Sequence, residues 1–286
     1  MSRPLRGGWS IYSTRLRARE CEADSLVCVG LDPVPSKLPA GIAPTAVGVA
    51  DFCIEIVRAT QEFASCYKPN LPFYLSLGDD GARALRRVRE VIPSDIPVVL
   101  DCKVNDLGDT ALAWAQVAFD YLEVDAIVTA PYMGEDALAP YFAREGKGVI
   151  VLVKTSNPGS DDFQNLQLAN GSPLYLHVAD RCRAWQDAYP ADIGMVVGAT
   201  YPEQLAQVRQ RCPDQVILLP GLGAQGGDVA ASVRAGVDAQ GGSLLCSASR
   251  SILYASSGAD FAEAAHTEAK RMRDEINTHR HQAARA

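Results

Sequence analysis

The 286-residue chain carries 27 basic and 34 acidic side chains, a net charge of −7. It therefore lacks the positive field that a general nucleic-acid or anionic-membrane binder needs. Hydrophobic residues make up 48% and charged ones 21%, which suits a folded chain with a sizeable core and excludes a disordered one.

Residues 1–25 open with Arg3, Arg6, Arg15, Arg17 and Arg19, but no apolar stretch follows to make a signal peptide. Trp9, Ile11, Tyr12 and Leu16 fit one apolar side of a short helix laid on the core, a reading that outweighs an organelle transit peptide. Beyond it, short apolar runs alternate with longer amphipathic ones eight times. Strands are expected over 26–31, 66–74, 96–103, 125–130, 148–154, 193–199, 215–220 and 243–247. Helices are expected over 47–64, 79–91, 110–122, 135–143, 174–188, 202–211, 228–235 and 260–276. Most of the strand runs are continuous Val, Ile and Leu, as parallel strands buried on both faces require. None approaches the roughly 18 residues of a membrane span.

Eight strand–helix units in about 250 residues is the arithmetic of an α/β protein built as a (β/α)8 TIM barrel. Periodicity alone leaves a doubly wound open sheet as a rival, but no G-x-G-x-x-G follows the first strand, so the barrel is favoured. No linker rich in Pro, Gly or Ser divides the chain, so 1–286 reads as a single domain, with a helical extension at 1–25 and a polar tail, 277–286, that frays. The connection 155–173 is long and rich in Asn, Gly, Ser and Asp, the signature of a functional lid, and 221–227 is glycine-rich. Eight cysteines are scattered without a C-x-x-C pair or a nearby histidine. That argues against a zinc site, and more strongly against a disulfide framework, and points to a reducing, cytoplasmic setting.

Barrel chemistry sits at the C-terminal strand ends. Asp32 ends the first strand, Lys68 lies in the second, and the third ends Asp101-Cys102-Lys103-Val104-Asn105-Asp106. Strand residues two apart face the same side, so Asp101 and Lys103 are expected to share the mouth, with Asp106 in the next loop. An alternating array of ammonium and carboxylate is tolerable where a lone charge is not, and it can hold a proton donor beside a carboxylate that stays ionised. The bland alternative is a structural ion-pair network at the rim. Across the mouth, 220–228 and Ser249-Arg250-Ser251 combine glycine-exposed backbone N–H groups with a guanidinium, as a phosphate site would. A tight turn beside a surface arginine is the plainer reading.

These motifs, in this order, resemble the orotidine 5′-phosphate decarboxylase family, in particular its longer bacterial branch (type 2). The similarity runs from Val27-Cys28-Val29-Gly30-Leu31-Asp32-Pro33 to Ser249-Arg250-Ser251-Ile252-Leu253-Tyr254, through Lys68-Pro69-Asn70, Lys154-Thr155-Ser156-Asn157-Pro158-Gly159-Ser160 and the 220–228 loop. The resemblance implies a lyase of UMP biosynthesis that needs no metal or cofactor and acts on orotidine 5′-monophosphate. Its Lys-Asp-Lys-Asp tetrad falls on Lys68, Asp101, Lys103 and Asp106, with Lys103 protonating C6 of the pyrimidine as carbon dioxide leaves. By the same resemblance Asp101 sits against the substrate carboxylate, and Lys68 orients that carboxylate and touches the ribose. Asp106 and Thr110 reach in from the second subunit of a homodimer. Asp32 binds ribose, Ser156 reads the pyrimidine edge, and Gln225 and Arg250 grip the phosphate. Two departures stand out: D-C-K-V-N-D replaces the branch's usual D-A-K-R-G-D, and 71–76 lacks the acidic residue common after the aromatics. The alternatives are a magnesium-dependent sugar-phosphate decarboxylase or aldolase on the same barrel, where Lys68 stands in place of a carboxylate that helps hold the metal, and a non-catalytic nucleotide-binding barrel.

Overall fold

The computed structural model describes residues 11–222 and 228–283; Trp9 and Gln225 lie outside them. Its strands are β1 (Val27–Leu31), β2 (Ala64–Pro69), β3 (Val99–Val104), β4 (Ala126–Thr129), β5 (Gly148–Lys154), β6 (Asp192–Val197), β7 (Ile217–Pro220) and β8 (Leu244–Ala248). Its helices are α1 (Ile11–Glu22), α2 (Ala46–Thr60), α3 (Leu71–Leu75), α4 (Gly78–Val91), α5 (Gly108–Gln116), α6 (Glu135–Phe142), α7 (Leu174–Ala188), α8 (Pro202–Arg211), α9 (Val229–Gly236), α10 (Arg250–Leu253) and α11 (Phe261–Ala283). All strand pairs are parallel, in the order β2-β1-β8-β7-β6-β5-β4-β3. The two ends of that order meet: Tyr67 bridges Val98, Asn70 bridges Asp101, and the Tyr67 N–H donates to the Pro97 carbonyl at 3.0 Å. The sheet therefore closes into the expected barrel, and the open doubly wound sheet is ruled out.

Alternation along the strands makes two cores. One lies between sheet and helices. The other fills the barrel with residues including Cys28, Cys66, Val99, Val128, Ile150, Val196, Leu218 and Leu245, joined by Tyr12 and Leu16 of α1. Helix α1 stops the N-terminal end of the barrel. The Ser13 N–H donates to Asp192 at the start of β6 (2.7 Å), Arg19 donates to the Ala64 carbonyl at the start of β2 (3.0 Å), and Arg15 pairs with Asp125 just before β4. The apolar side expected for this helix is only partly as drawn: Tyr12 and Leu16 are buried, but Ile11 is 62% exposed.

Two further segments depart from expectation. The run 71–75 is not strand but helix α3, because Pro72 has no N–H for a sheet ladder and fits a helix first turn. The chain is also helical beyond Ile276, to Ala283. Buried Asn277 donates to the Asp24 carbonyl at 2.7 Å, and buried Arg280 donates to the Gly241 carbonyl, so specific partners tie down residues that composition assigns to a frayed end.

Within α1, Glu20 is buried, and its Oε1 has no hydrogen-bond partner among the described residues. Burial pushes its carboxyl from 4.5 up to about 7, against the opposing pull of Arg17 and the Ser243 N–H. The folded state then binds this proton more tightly than the unfolded chain. The stability it contributes is full below pH 4.5 and is lost as pH rises through about 7. Glu20→Gln cannot ionise, so it is expected to match the parent near pH 4 and to exceed it by about 3 kcal/mol at pH 8. Urea unfolding at the two pH values checks this, and a gap that ignores pH would refute it.

Candidate active site

The C-terminal ends of the strands surround a cavity of ≈ 340 Å³, a size that suits a small organic ligand. Val128, Leu152, Val196 and Leu218 form its apolar floor. On one wall stand Asp32, Lys68, Asp101 and Lys103; Ser156 and Arg250 also line it. Six of the nine candidate site residues thus converge on one space. Asp106 and Thr110 do not line it: the Asp106 Oδ1 accepts the Leu107 N–H at 2.8 Å, and Thr110 lies exposed in the first turn of α5. Gln225 falls outside the described residues.

Register explains the wall. Lys68 on β2 pairs with Gly30 on β1, and Asp32 lies two residues further along, so both point into the barrel. The bridge between Asn70 and Asp101 sets β3 beside β2. Gly30 has to be glycine, since a Cβ there would lie 2.7 Å from the Ser249 Cβ and force β1 away from the end of β8. The Lys68 Nζ donates to Asp101 Oδ2 at 3.2 Å and lies 3.8 Å from Asp32 Oδ1, and the Lys103 Nζ pairs with Asp101 Oδ1. Asp32 Oδ1 is itself buried without a hydrogen-bond partner among the described residues, an acceptor that a ligand hydroxyl could use.

Electrostatics keep Asp101 and Lys68 ionised. Burial works against the Asp101 carboxylate, but Lys68 and Lys103 outweigh it and hold the group below its ordinary range. Burial likewise opposes the Lys68 ammonium, and Asp32 with Asp101 overcomes that and raises it. Asp101 is thus an anion at neutral pH, clasped by two cations.

Lys103 reaches Asp101 by a route that simple alternation does not foresee. The β3–β4 register slips between Asp101 and Val104, and Lys103 has φ of 50°, the left-handed region that costs a non-glycine residue about 1–2 kcal/mol. Such strain survives only where the surroundings fix it. Here the Thr129 hydroxyl donates to the Val104 carbonyl (2.6 Å) and the Asn105 amide to the Ala130 carbonyl (2.9 Å). Val104 and Asn105, the departures from the family pattern, are therefore joined to the end of β4.

The 155–173 segment is a built loop. It contains a 3-10 turn (Pro158–Asp162) and a bridge between Gln167 and Pro173, and the Thr155 N–H donates to the Gln164 side chain at 2.8 Å. Sequence reasoning passed over one residue behind it, Lys154, which is wholly buried. Its marks in the sequence are a charge closing an otherwise apolar strand and its place at the head of the Lys154–Ser160 stretch, neither of which assigns it a role.

Among the described residues, no group of three or more His, Cys, Asp or Glu is arranged to hold a metal ion, and no helix is long and apolar enough to cross a membrane.

Residues 25–265 match the orotidine 5′-phosphate decarboxylase / HUMPS family. The chain is 46% identical to an orotidine 5′-phosphate decarboxylase of Thermomicrobium roseum over 274 residues, covering 96% of this chain and 97% of that one. It is 44% identical to one from Cupriavidus metallidurans, covering 94% and 99%. Among solved structures, the Leishmania donovani OMP decarboxylase superposes with a TM-score of 0.83 at 38% identity, covering 96% of this chain and all (100%) of that one.

Proposed function

The chain belongs to the orotidine 5′-phosphate decarboxylase / HUMPS family, and from that premise we propose how it converts orotidine 5′-monophosphate to uridine 5′-monophosphate, a carboxy-lyase step of pyrimidine biosynthesis. The observation that carries the reading is the alternating array Asp32, Lys68, Asp101 and Lys103 around one carboxylate at the cavity wall.

The bond from C6 of the pyrimidine to its carboxylate breaks, carbon dioxide departs, and the electron pair stays on C6. The Lys103 Nζ gives a proton to that carbon, forming the C6–H bond of the product, and regains one from solvent. A fixed ammonium beside developing negative charge needs little reorganisation, which makes this kind of electrostatic stabilisation effective. Asp101 faces the leaving carboxylate, and Lys68 orients that carboxylate and touches the ribose. Asp32 Oδ1 accepts a ribose hydroxyl. Ser156 reads the pyrimidine edge, and Arg250 with Gln225 holds the phosphate, whose binding energy is spent on closing the site. No metal or organic cofactor takes part in these steps.

We further read the protein as a cytoplasmic single-domain barrel that works as a homodimer. Two features support the dimer. Asp106 and Thr110 do not line the cavity of their own chain, which is what residues supplied to a second copy's site would do. On the segments that follow β3 and β4, Leu107, Leu112, Val117, Tyr121, Tyr132 and Met133 leave apolar surface in solvent, between 37% and 88% exposed.

The test is the ultraviolet absorbance of orotidine 5′-monophosphate on adding purified protein in excess EDTA. Rapid loss of the orotate chromophore is expected. Activity that disappears with EDTA would favour the magnesium-dependent relative, and nucleotide binding without turnover a silent barrel.

A further inference from the structure

We infer that Lys154 is a positioning residue for the substrate: from behind the cavity wall it pins the loop that carries Ser156. The inference rests on the reading of Ser156 as the contact to the pyrimidine.

Lys154 ends β5 at the barrel mouth and is 0% exposed. By simple alternation it would follow Leu152 into the cavity. The β5–β6 register, however, slips between Leu152 and Lys154, and Lys154 is not among the lining residues. Its Nζ instead donates to the Ser160 hydroxyl at 2.7 Å and to Asp161 Oδ1 at 3.1 Å, and lies 4.9 Å from the centre of the Tyr201 ring. Ser160 and Asp161 belong to the 3-10 turn four and five residues beyond Ser156. The loop therefore leaves β5, lines the cavity with Thr155, Ser156 and Asn157, and is brought back onto the Lys154 ammonium. From the other side β6 closes on the same segment. The Gly198 N–H donates to the Lys154 carbonyl at 2.8 Å, and a Cβ on Gly198 would lie 2.9 Å from both the N and the Cβ of Ser156.

A fully buried cation is a poor source of stability, because its desolvation offsets its attractions; a well-packed apolar side chain of similar size usually folds as well or better. Retaining a lysine there makes sense if the loop geometry, rather than the fold, depends on it. The residue also acts through another, since among the described residues its Nζ meets the loop and Tyr201 rather than the cavity.

Three variants separate these roles. Lys154→Met should keep or raise the thermal midpoint while raising KM for orotidine 5′-monophosphate about 10-fold, the scale of cost for a contact displaced by an ångström or less. Asp161→Asn, changed on a side chain that is 62% exposed, should fold normally and raise KM less. Because Lys154 works through Ser156, the double variant Lys154→Met/Ser156→Ala should lose little more in kcat/KM than Ser156→Ala alone. Wild-type KM in folded Lys154→Met overturns the assignment, as do losses that multiply in the double variant. Unchanged kinetics in Ser156→Ala would instead remove the reading of Ser156, and the inference with it.

Discussion

Lys103→Ala is expected to lower kcat by roughly 10⁴- to 10⁷-fold, the product of what a positioned general acid and a preorganised charge each contribute. Binding of uridine 5′-monophosphate should change only several-fold, because Arg250 and Ser156 line the cavity independently of β3. The variant should also fold. Asp101 loses one cation but keeps Lys68 at 3.2 Å, so no carboxylate is stranded without a partner. Alanine meets the same left-handed backbone at 103 that lysine does, so the strain there is unchanged. The measurement is single-turnover decarboxylation beside nucleotide binding on the same preparation. Residual turnover within 100-fold of the parent would remove Lys103 as the proton donor and leave the array as a rim ion-pair network.

Much of this architecture could be read in the sequence, and the exceptions share a cause. Strand β5 and helices α7 and α8 fall where periodicity puts them, since each is an uninterrupted apolar or amphipathic run with a clear local boundary, such as Pro202 in the first turn of α8. Helix α3 was hidden because 71–75 is as apolar as a strand, and only Pro72 argues otherwise. Lys103 and Asp101 do meet as alternation suggests, yet by a bulge and a left-handed residue rather than a regular pleat. What fixes that bulge is Thr129 on another strand, and no local pattern around 103 reveals it.

The same limit governs the polar residues that turned out to be buried. Ser13, Arg19 and Glu20 on α1 look like a solvated face, and their partners Asp192, Ala64 and Ser243 come from distant parts of the chain. Asn277 and Arg280 are the C-terminal counterpart, held by Asp24 and Gly241. The site itself was more legible than its supports. Charges at the ends of apolar strands are conspicuous against a hydrophobic background, and the barrel then brings those ends together. Lys154 shares that mark, but the slip in register turns it from the cavity to the loop behind.

On the proposed reading Asp106 completes the tetrad from a second copy of the chain, and this yields an expectation that no single-chain arrangement shares. Lys103→Ala and Asp106→Ala should each be inactive alone. In a mixed dimer one site combines both substitutions, while the other takes Lys103 from the Asp106→Ala chain and Asp106 from the Lys103→Ala chain, and so is wild type. One of the two sites in such a heterodimer is intact, so purified heterodimers should recover about half of wild-type activity per site. Differently tagged chains, refolded together and purified as verified heterodimers, provide the measurement. If Asp106 served its own subunit, every site in such a dimer would carry one substitution and nothing would be regained. The apolar surface near Asp106 adds an independent check. Leu112→Lys on the outer face of α5, a side chain 44% exposed in the single chain, should shift the protein to monomers. On the proposed shared-site reading those monomers should lose decarboxylation while keeping the barrel, since Asp106 then has to come from a second copy.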